Sequence, residues 1–454
     1  MKQDGRKTAS TRFQVPVSAT LIVALTFLGH LIYGANRDDL SLAFSVAWLG
    51  ALPLLLTQEW ARKSLDRTPL TWPGASFALV ILAAVASLTP LFEPHPIWSL
   101  VPGSIKTVTI DPYATWLNLF KLLGLTAAFL VGAGFGGDDE RAKQLIQTVL
   151  LAGLAYGIWA FLSQEMDRNV LFGQIRVWSP DRLSGSLPSA NIAATFFGAL
   201  TVLNLSDILR RVERQRERRT GRLQWRHLEI ILQAIWLPLL GIAVSVACLA
   251  LTVSRSGVAA TVAGIVLFLG VRAIVSAKKG AWVAPLVGTL VVVLGLLIGF
   301  LALNLGALDE RVAGLGEDAH TRATIFAAHW AAFLASPWQG YGLGTFAHIN
   351  AMYLNDANRD SLYNIGATHD VYIQWLEETG LVGAIPMFAT ILIVAVRVAR
   401  GVAERQRSRL WLLGILCVLA IFLIHGATDF PFETPSMSLF LSLLLGVGYR
   451  MAKR

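Results

Sequence analysis

The cationic side chains that could do chemistry in this 454-residue chain lie beside strongly apolar stretches. Arg255 stands in a four-residue Ser-Arg-Ser-Gly segment between two such stretches, Arg322 opens a segment with helical apolar spacing, and Arg182 precedes a further apolar stretch. A guanidinium group stays charged and binds phosphate oxygens through paired hydrogen bonds, so several arginines on one face indicate a diphosphate site. For any one of them alone, a side chain that reaches lipid headgroups from a span end is an equal interpretation.

His369 is the residue that the sequence offers as a general base. It lies where the longest polar loop returns to an apolar stretch, and a histidine with an ordinary pKa of about 6.5 can take a proton from a hydroxyl. Asp370 could orient its ring. His425 and Asp429 form a second ionisable pair at another stretch end, where they either line the same cavity or cap a helix. A surface or packing histidine is the alternative for His369, and the residue types alone favour it.

The elements that must position these residues are membrane-spanning helices. Hydrophobic residues make up 55% of the chain and charged residues only 15%, with a mean hydropathy of +0.58. A spanning helix needs about 20 predominantly apolar residues, and such stretches recur throughout. The sequence therefore predicts an all-α integral membrane protein, one polytopic domain over 1–454, with about twelve spans: Val17–Tyr33, Leu40–Leu56, Gly74–Phe92, Tyr113–Phe135, Leu145–Leu162, Asn191–Leu209, Leu228–Val253, Gly257–Ile274, Ala281–Leu305, Leu381–Val398, Leu410–Ile424 and Ser436–Tyr449.

The basic residues predict the orientation of the chain. The net charge is +9, and the lysines and arginines concentrate in alternate loops, as the positive-inside rule requires of cytoplasmic segments. The densest run, Arg210 to Arg226, has no interleaved aromatic residues of the kind that stack on bases. We therefore expect both termini in the cytoplasm, membrane lipids as neighbours and no nucleic-acid partner.

The longest outward loop, residues 306–380, is predicted to be partly helical and periplasmic. Thr321–Ala335 has helical apolar spacing, the glycines at 340, 342 and 344 predict a turn, and a second helix is expected to start near Asp370. A long ordered loop on one face usually holds function. The glycine pattern lacks the preceding strand and the following Gly-Lys of a nucleotide loop. We find no metal-ligating cluster in the sequence.

Five segments between Arg182 and the last span form an ordered set of motifs. The set resembles the signature of the O-antigen ligase and Wzy-type polymerase superfamily, while the N-terminal third agrees only in hydropathy. The segments are Arg182…Gly185…Asn191-Ile192-Ala193, then Leu251–Gly257 (LTVSRSG), Arg322…Pro337–Phe346 (PWQGYGLGTF), Thr368-His369-Asp370…Gln374–Gly383 (QWLEETGLVG), and finally His425…Asp429.

The resemblance implies a membrane glycosyltransferase of the GT-C type. Such enzymes move a glycan from an undecaprenyl diphosphate carrier to an acceptor at the periplasmic face of the bacterial inner membrane, without metal or cofactor and with inversion. By position, Arg255 and Arg322, with Arg182 as a third candidate, are implied to bind the diphosphate, and His369 to activate the acceptor hydroxyl. Many relatives have Asn where Asp370 follows the histidine, which leaves the role of Asp370 open.

Two kinds of function remain open at this level. A ligase would deliver a finished chain to lipid A core, and a polymerase would extend a growing O-antigen or exopolysaccharide; the superfamily also includes enzymes that glycosylate proteins. The alternative from another class is a small-anion transporter. The sequence offers few mid-membrane ionisable residues beyond Lys121 to line a path through the bilayer.

Overall fold

The structure, a computed structural model, is a helical bundle with one short hairpin, and it describes residues 17–100, 106–167, 170–172, 174–175, 181–217, 225–277, 295, 299 and 315–453. The hairpin pairs two strands of two residues each, Val170–Leu171 and Gln174–Ile175. The helices are α1 Val17–Leu31, α2 Asp38–Leu56, α3 Glu59–Asp66, α4 Thr71–Ser87, α5 Pro112–Phe135, α6 Asp139–Met166, α7 Ala190–Glu217, α8 Trp225–Leu251, α9 Arg255–Ala277, α10 Leu315–Ala335, α11 Phe346–Tyr353, α12 Arg359–Leu362, α13 Val371–Glu404, α14 Arg409–Gly426 and α15 Pro435–Met451, with short 3-10 turns at Tyr33–Ala35 and Pro96–Leu100.

The membrane class predicted from composition is confirmed, and the count of twelve spans is not. Within the described ranges, eight helices are long and apolar enough to cross a membrane, and α3 with α4, bent by 90°, would make a ninth if the pair is one span. The predicted first and last spans fall on the shorter helices α1 and α15. The predicted span Ala281–Leu305 and the basic N-terminal residues before Val17 lie outside the described residues.

One end of the bundle gathers the helix ends that carry the candidate site. Ser186, which precedes α7, donates to the carbonyl oxygen of His30 at the end of α1 (2.7 Å). Asn191 at the start of α7 donates to Asp429, which lies between α14 and α15. We call this the site end.

The opposite end carries the positive charge and is called the basic end. Arg405 after α13 reaches Asp139 at the start of α6 (3.3 Å), and Arg450 of α15 donates to the carbonyl oxygen of Ser64 in α3 (3.0 Å). The first described residue of α1 and the last of α15 are both at this end. The lysines and arginines around it include Arg62, Lys63, Arg67, Arg141, Lys143, Arg210, Arg211, Arg214, Arg272, Arg400, Arg407, Arg409 and Lys453.

Small residues allow the helices to approach closely, as membrane helices require in the absence of a strong hydrophobic drive between them. Helix α15 packs along α5, and a methyl group on Gly446 would lie inside contact distance of the Phe129 carbonyl oxygen. On the facing helix, a methyl group on Gly132 would meet the Leu443 carbonyl in the same way. The backbones of α5 and α15 are therefore in direct contact, and this fixes the loop that carries Asp429.

We expect Gly446→Ala to destabilise the protein by about 1–3 kcal/mol, because the new methyl group has backbone on its far side and cannot be relieved by a side-chain rotation. Thermal unfolding of the purified protein measures the change. Gly50→Ala is the control, since a methyl group there meets nothing within 4 Å and Ala is the better helix former. Equal midpoints for the two variants would contradict this packing.

Candidate functional site

His369 lies in a tight turn immediately before α13. Its backbone has a φ of 57°, a conformation that non-glycine residues adopt rarely and that often marks a functional site. The turn is held by Thr368, whose hydroxyl donates to the Asp370 carbonyl oxygen (2.6 Å) and accepts from the Asp370 amide (3.1 Å). The imidazole packs edge-on against Phe430 at 5.1 Å, and its side chain remains 28% exposed. The ring is thus fixed in orientation and still accessible to a substrate.

A chain of contacts joins this imidazole to Arg182. The Nδ1 atom of His369 lies 4.0 Å from Oδ2 of Asp429, a carboxylate with no exposed surface. The same oxygen accepts a hydrogen bond from Asn191. The Asn191 side-chain oxygen in turn accepts from Nη2 of Arg182 at 2.6 Å, and Nε of Arg182 donates to the Thr252 carbonyl oxygen at 2.7 Å. Four segments far apart in sequence therefore meet at one buried carboxylate.

The position of Asp370 beside His369 predicted that its carboxylate orients the ring, but in the structure the carboxylate caps a helix. Its Oδ1 atom accepts from the amides of Tyr372 (2.8 Å) and Ile373 (3.1 Å). These are among the first amides of α13, which have no partner within the helix, so Asp370 is the N-cap of that helix. The carboxylate that faces the imidazole belongs to Asp429 instead.

His425 ties three helices together beneath the site. It is fully buried; its Nδ1 lies 2.6 Å from the Thr195 hydroxyl of α7, and its Nε2 lies 3.0 Å from the Ser256 hydroxyl of α9. Both ring nitrogens are engaged, which leaves neither for a substrate. The sequence left open whether His425 and Asp429 line one cavity or cap a helix; in the structure both are fully buried, Asp429 beside His369 and His425 between α7 and α9.

Arg255 is the first residue of α9, and its side chain is exposed. The turn before it is set by Val253 with a φ of 50° and by the Ser254 hydroxyl, which accepts from the Gly257 amide at 3.2 Å. Gly257 cannot carry a side chain, because a Cβ atom there would collide with Ala194 of α7. The close approach of α7 and α9 thus places Arg255 at a helix N-terminus, where the helix dipole favours an anion.

Arg322 reaches the site from α10, which packs against α13. The helix predicted over Thr321–Ala335 is confirmed, and it begins six residues earlier, at Leu315. A buried contact anchors it: Nδ1 of His329 lies 2.7 Å from Oε2 of Glu377 in α13, and neither side chain has exposed surface. Burial lowers the pKa of His329 to about 4, so its ring is neutral at pH 7. The position of Arg322 depends on this anchor.

The electrostatics of the site favour a neutral His369. Burial lowers the pKa of His369 below its usual 6.5; the carboxylate of Asp429 opposes that shift, and the positive charge of Arg322 adds to it. A neutral imidazole has one nitrogen that can accept a proton. The ring is therefore in the form that a general base requires at neutral pH.

The three glycines at 340, 342 and 344 form the predicted turn, with φ values of 65°, 107° and 83°. The amide of Gly344 donates to the Glu378 carboxylate at 2.7 Å, and the amide of Gly342 donates to the Glu378 carbonyl oxygen at 2.8 Å. Because these amides are already bonded to α13, the segment is a packing turn. It connects α10 to α11 and holds both against the start of α13.

The match to known proteins falls on this part of the chain. Residues 240–388 match the family model described as O-antigen ligase. This segment is therefore similar to an O-antigen ligase domain. The match covers about a third of the sequence, from within α8 to within α13, and it includes Arg255, Arg322 and His369. No curated protein matches the chain in sequence.

Several residues of the candidate site cannot be recognised individually in the sequence. Thr195, Ser256 and His329 are common residue types in apolar surroundings, and nothing in their spacing indicates that they meet histidines or carboxylates. Asn191 was singled out only as part of a family segment, although a polar residue that opens a buried span is a detectable signal. Among the described residues, the structure contains no group of three or more His, Cys, Asp or Glu side chains that could hold a metal ion.

We expect Glu377→Leu to destabilise the protein by about 1–3 kcal/mol, because it leaves Nδ1 of buried His329 without its partner. The double variant with His329→Leu should recover much of the loss, since both polar groups are then removed. Thermal unfolding of the single and double variants measures the coupling. His320→Leu, at an exposed position of the same helix, is the control. Strictly additive effects would show that the two residues do not interact.

Proposed function

We propose that this O-antigen ligase domain transfers a glycan from an undecaprenyl diphosphate carrier to an acceptor hydroxyl, with inversion and without a metal ion. The observation that carries the proposal is the meeting of His369 and Asp429 at the site end, within reach of the positive charge of Arg322 from α10. A general base and anion-binding groups are the two requirements for displacing a diphosphate from a sugar. The acceptor is lipid A core or a growing glycan.

The proposed orientation follows from the charge on the two ends. The basic end carries most of the described lysines and arginines, and the positive-inside rule assigns such an end to the cytoplasm. The site end then faces the periplasm of a bacterial inner membrane, together with the predicted long loop 306–380. A lipid-linked donor would keep its prenyl chain between the helices and present its sugar at this end.

In the proposed reaction, His369 accepts the proton of the acceptor hydroxyl. Its Nδ1 is turned toward Asp429, which favours the tautomer that carries its proton on Nδ1 and leaves Nε2 free as the base. The acceptor oxygen forms its bond to the anomeric carbon as the bond from that carbon to the diphosphate oxygen breaks. The 4.0 Å separation of Nδ1 and Asp429 is long for a hydrogen bond, and such contacts often tighten when substrate binds.

The diphosphate leaves with developing negative charge, and the proposal assigns its stabilisation to Arg255 and Arg322. Arg255 stands at the N-terminus of α9, so the dipole of that helix adds to the charge of its guanidinium group. Fixed cations in a site of low dielectric need no reorganisation as the charge develops, which makes them effective without a metal. Arg182, which holds Asn191 and the Thr252 carbonyl, is one step removed, and we assign it to positioning Asp429.

The family match gives no support to a small-anion transporter. A ligase and a polymerase share the chemistry above and differ in the acceptor. The surface polysaccharide of a deletion strain tests the function and separates the two. Loss of all O-chains from lipopolysaccharide is the expected result for a ligase, and chains of a single repeat are the result for a polymerase. Unchanged glycans would overturn the proposal.

In the same strain, Arg255→Ala and Arg322→Ala should each fail to restore the glycan although the protein accumulates in the membrane. Each substitution removes a cation that stabilises the leaving diphosphate. His369→Ala should slow transfer and leave binding of the lipid-linked donor intact. Binding is measured with purified protein and transfer in vitro. Arg359→Ala, which removes an exposed arginine of the same loop, is the matched control. Normal glycans with both alanine variants at 255 and 322 would defeat the assignment.

The pH dependence of transfer reports on His369 directly. A base works in its neutral form, so the rate should fall only when the pH drops through the pKa of His369, with a midpoint below 6.5. Asp429→Asn removes the negative charge that raises this pKa and should move the midpoint down. A midpoint that this substitution leaves in place would exclude His369 as the base.

A further inference from the structure

A cleft at the basic end lies apart from the proposed catalytic site. It is a shallow cleft between α6, α7 and α8, and its empty space of about 350 Å³ includes the open space in front of it. Polar side chains line part of it, and the rest of its wall is apolar, with Leu150, Leu151 and Leu154 on α6 and Leu237 on α8. Leu151 is 42% exposed on the outer surface of the bundle, so the cleft opens sideways, toward the hydrocarbon of a bilayer. Such walls suit an acyl chain.

The floor of the cleft is built around a proline. Pro238 lies inside α8 and has no amide hydrogen, so the carbonyl oxygen of Ala234, one turn earlier, has no donor within the helix. Arg211 of α7 satisfies that oxygen through Nη1 at 2.9 Å. A guanidinium group is thereby brought to the polar end of an apolar cleft.

The charge on this floor is not balanced by the described residues around it. The Asp207 carboxylate faces two guanidinium groups, Arg210 at 2.6 Å and Arg211 at 2.7 Å. The carboxylate at 213 on the same helix is turned away, since Glu213 pairs with Arg272 at 2.9 Å. Arg214 adds a further positive charge one turn along α7. One carboxylate thus serves two guanidinium groups, and the cluster keeps a net positive charge.

Arg211 can still donate hydrogen bonds. A guanidinium group has five N–H donors. The contacts of Arg211 with Asp207 and the Ala234 carbonyl use two of them, and the side-chain oxygen of Gln147, oriented by its neighbours, accepts a third at 2.9 Å. The side chain is 22% exposed. Two donors of this partly exposed guanidinium group therefore remain for a ligand, and paired guanidinium donors suit phosphate oxygens.

We propose that the cleft binds an anionic phospholipid of the surrounding bilayer, with an acyl chain along the leucine wall and the phosphodiester group at Arg211 and Arg214. Basic pockets between helices on the cytoplasmic side are suited to anionic headgroups. A zwitterionic lipid would bring its own positive charge toward the arginines, and a free phosphate would leave the apolar walls exposed. The bound lipid joins α6, α7 and α8 at the end that lacks the polar network of the site end.

Native mass spectrometry of the full-length protein, released from vesicles of phosphatidylglycerol and phosphatidylcholine, tests the proposal. The wild type should retain phosphatidylglycerol in preference to phosphatidylcholine. Leu237→Trp fills the cleft and should abolish that preference, whereas Leu239→Trp, which lies on the exposed side of the same helix, should keep it. Leu151→Trp, at the partly exposed mouth, is a second filling variant if Leu237→Trp does not fold.

The charge contribution is tested separately. Arg214→Gln should weaken phosphatidylglycerol retention about fivefold, the effect of one cation near an anionic headgroup. Arg400→Gln makes the same charge change at an exposed position of the basic end and should have no effect. Equal retention of the two lipids, retention that survives both filling variants, or displacement of phosphatidylglycerol by inorganic phosphate alone would each overturn the proposal. None of these results depends on transfer activity.

Discussion

The candidate site depends on a carboxylate that has no contact with solvent. Burying a carboxylate is costly unless hydrogen-bond donors or positive charges surround it. Asp429 receives the Asn191 amide and its neighbour's backbone amide, and faces the His369 ring. Asn191 is in turn held by Arg182. Each partner comes from a different part of the chain, so the need to compensate one carboxylate brings those parts to a common point.

Helix packing fixes where that carboxylate lies. The loop that carries Asp429 joins α14 to α15, and both helices are held by contacts that leave little room for adjustment. The backbone of α15 touches α5 through Gly446, and His425 at the end of α14 is bound on both sides by Thr195 and Ser256. A site assembled on such rigid elements can hold a base and its orienting group in one geometry without a substrate. The cost of this rigidity is that small changes in packing, remote from the chemistry, move the site.

The sequence predicts more of the membrane architecture than of the site. Apolar stretches of spanning length and the segregation of lysines and arginines can be read from the sequence without knowing which helices are neighbours. The contacts of Asp429 cannot, because they depend on which helices pack together. Nothing local in the sequence shows that the carboxylate 60 residues from His369 faces it, while the adjacent Asp370 caps a helix instead. From the local sequence, Asp370 and Asp429 are equally good candidates for the carboxylate that faces His369, because both precede a helix or span. Only tertiary contacts distinguish them.

The arginines show why residue type alone cannot assign a role. Arg211 lies in the most basic run of the chain, which the positive-inside rule explains by orientation alone; the structure shows that it also satisfies a carbonyl freed by Pro238. Arg182 is a candidate phosphate ligand by the resemblance, and in the structure its guanidinium group donates to Asn191, which binds Asp429, and to the Thr252 carbonyl oxygen. A guanidinium group near a membrane must find acceptors for several N–H donors, and the backbone and the ligand compete to supply them. An arginine whose acceptors come from the protein stabilises the fold, and one that is left with outward donors, such as Arg211, can do both.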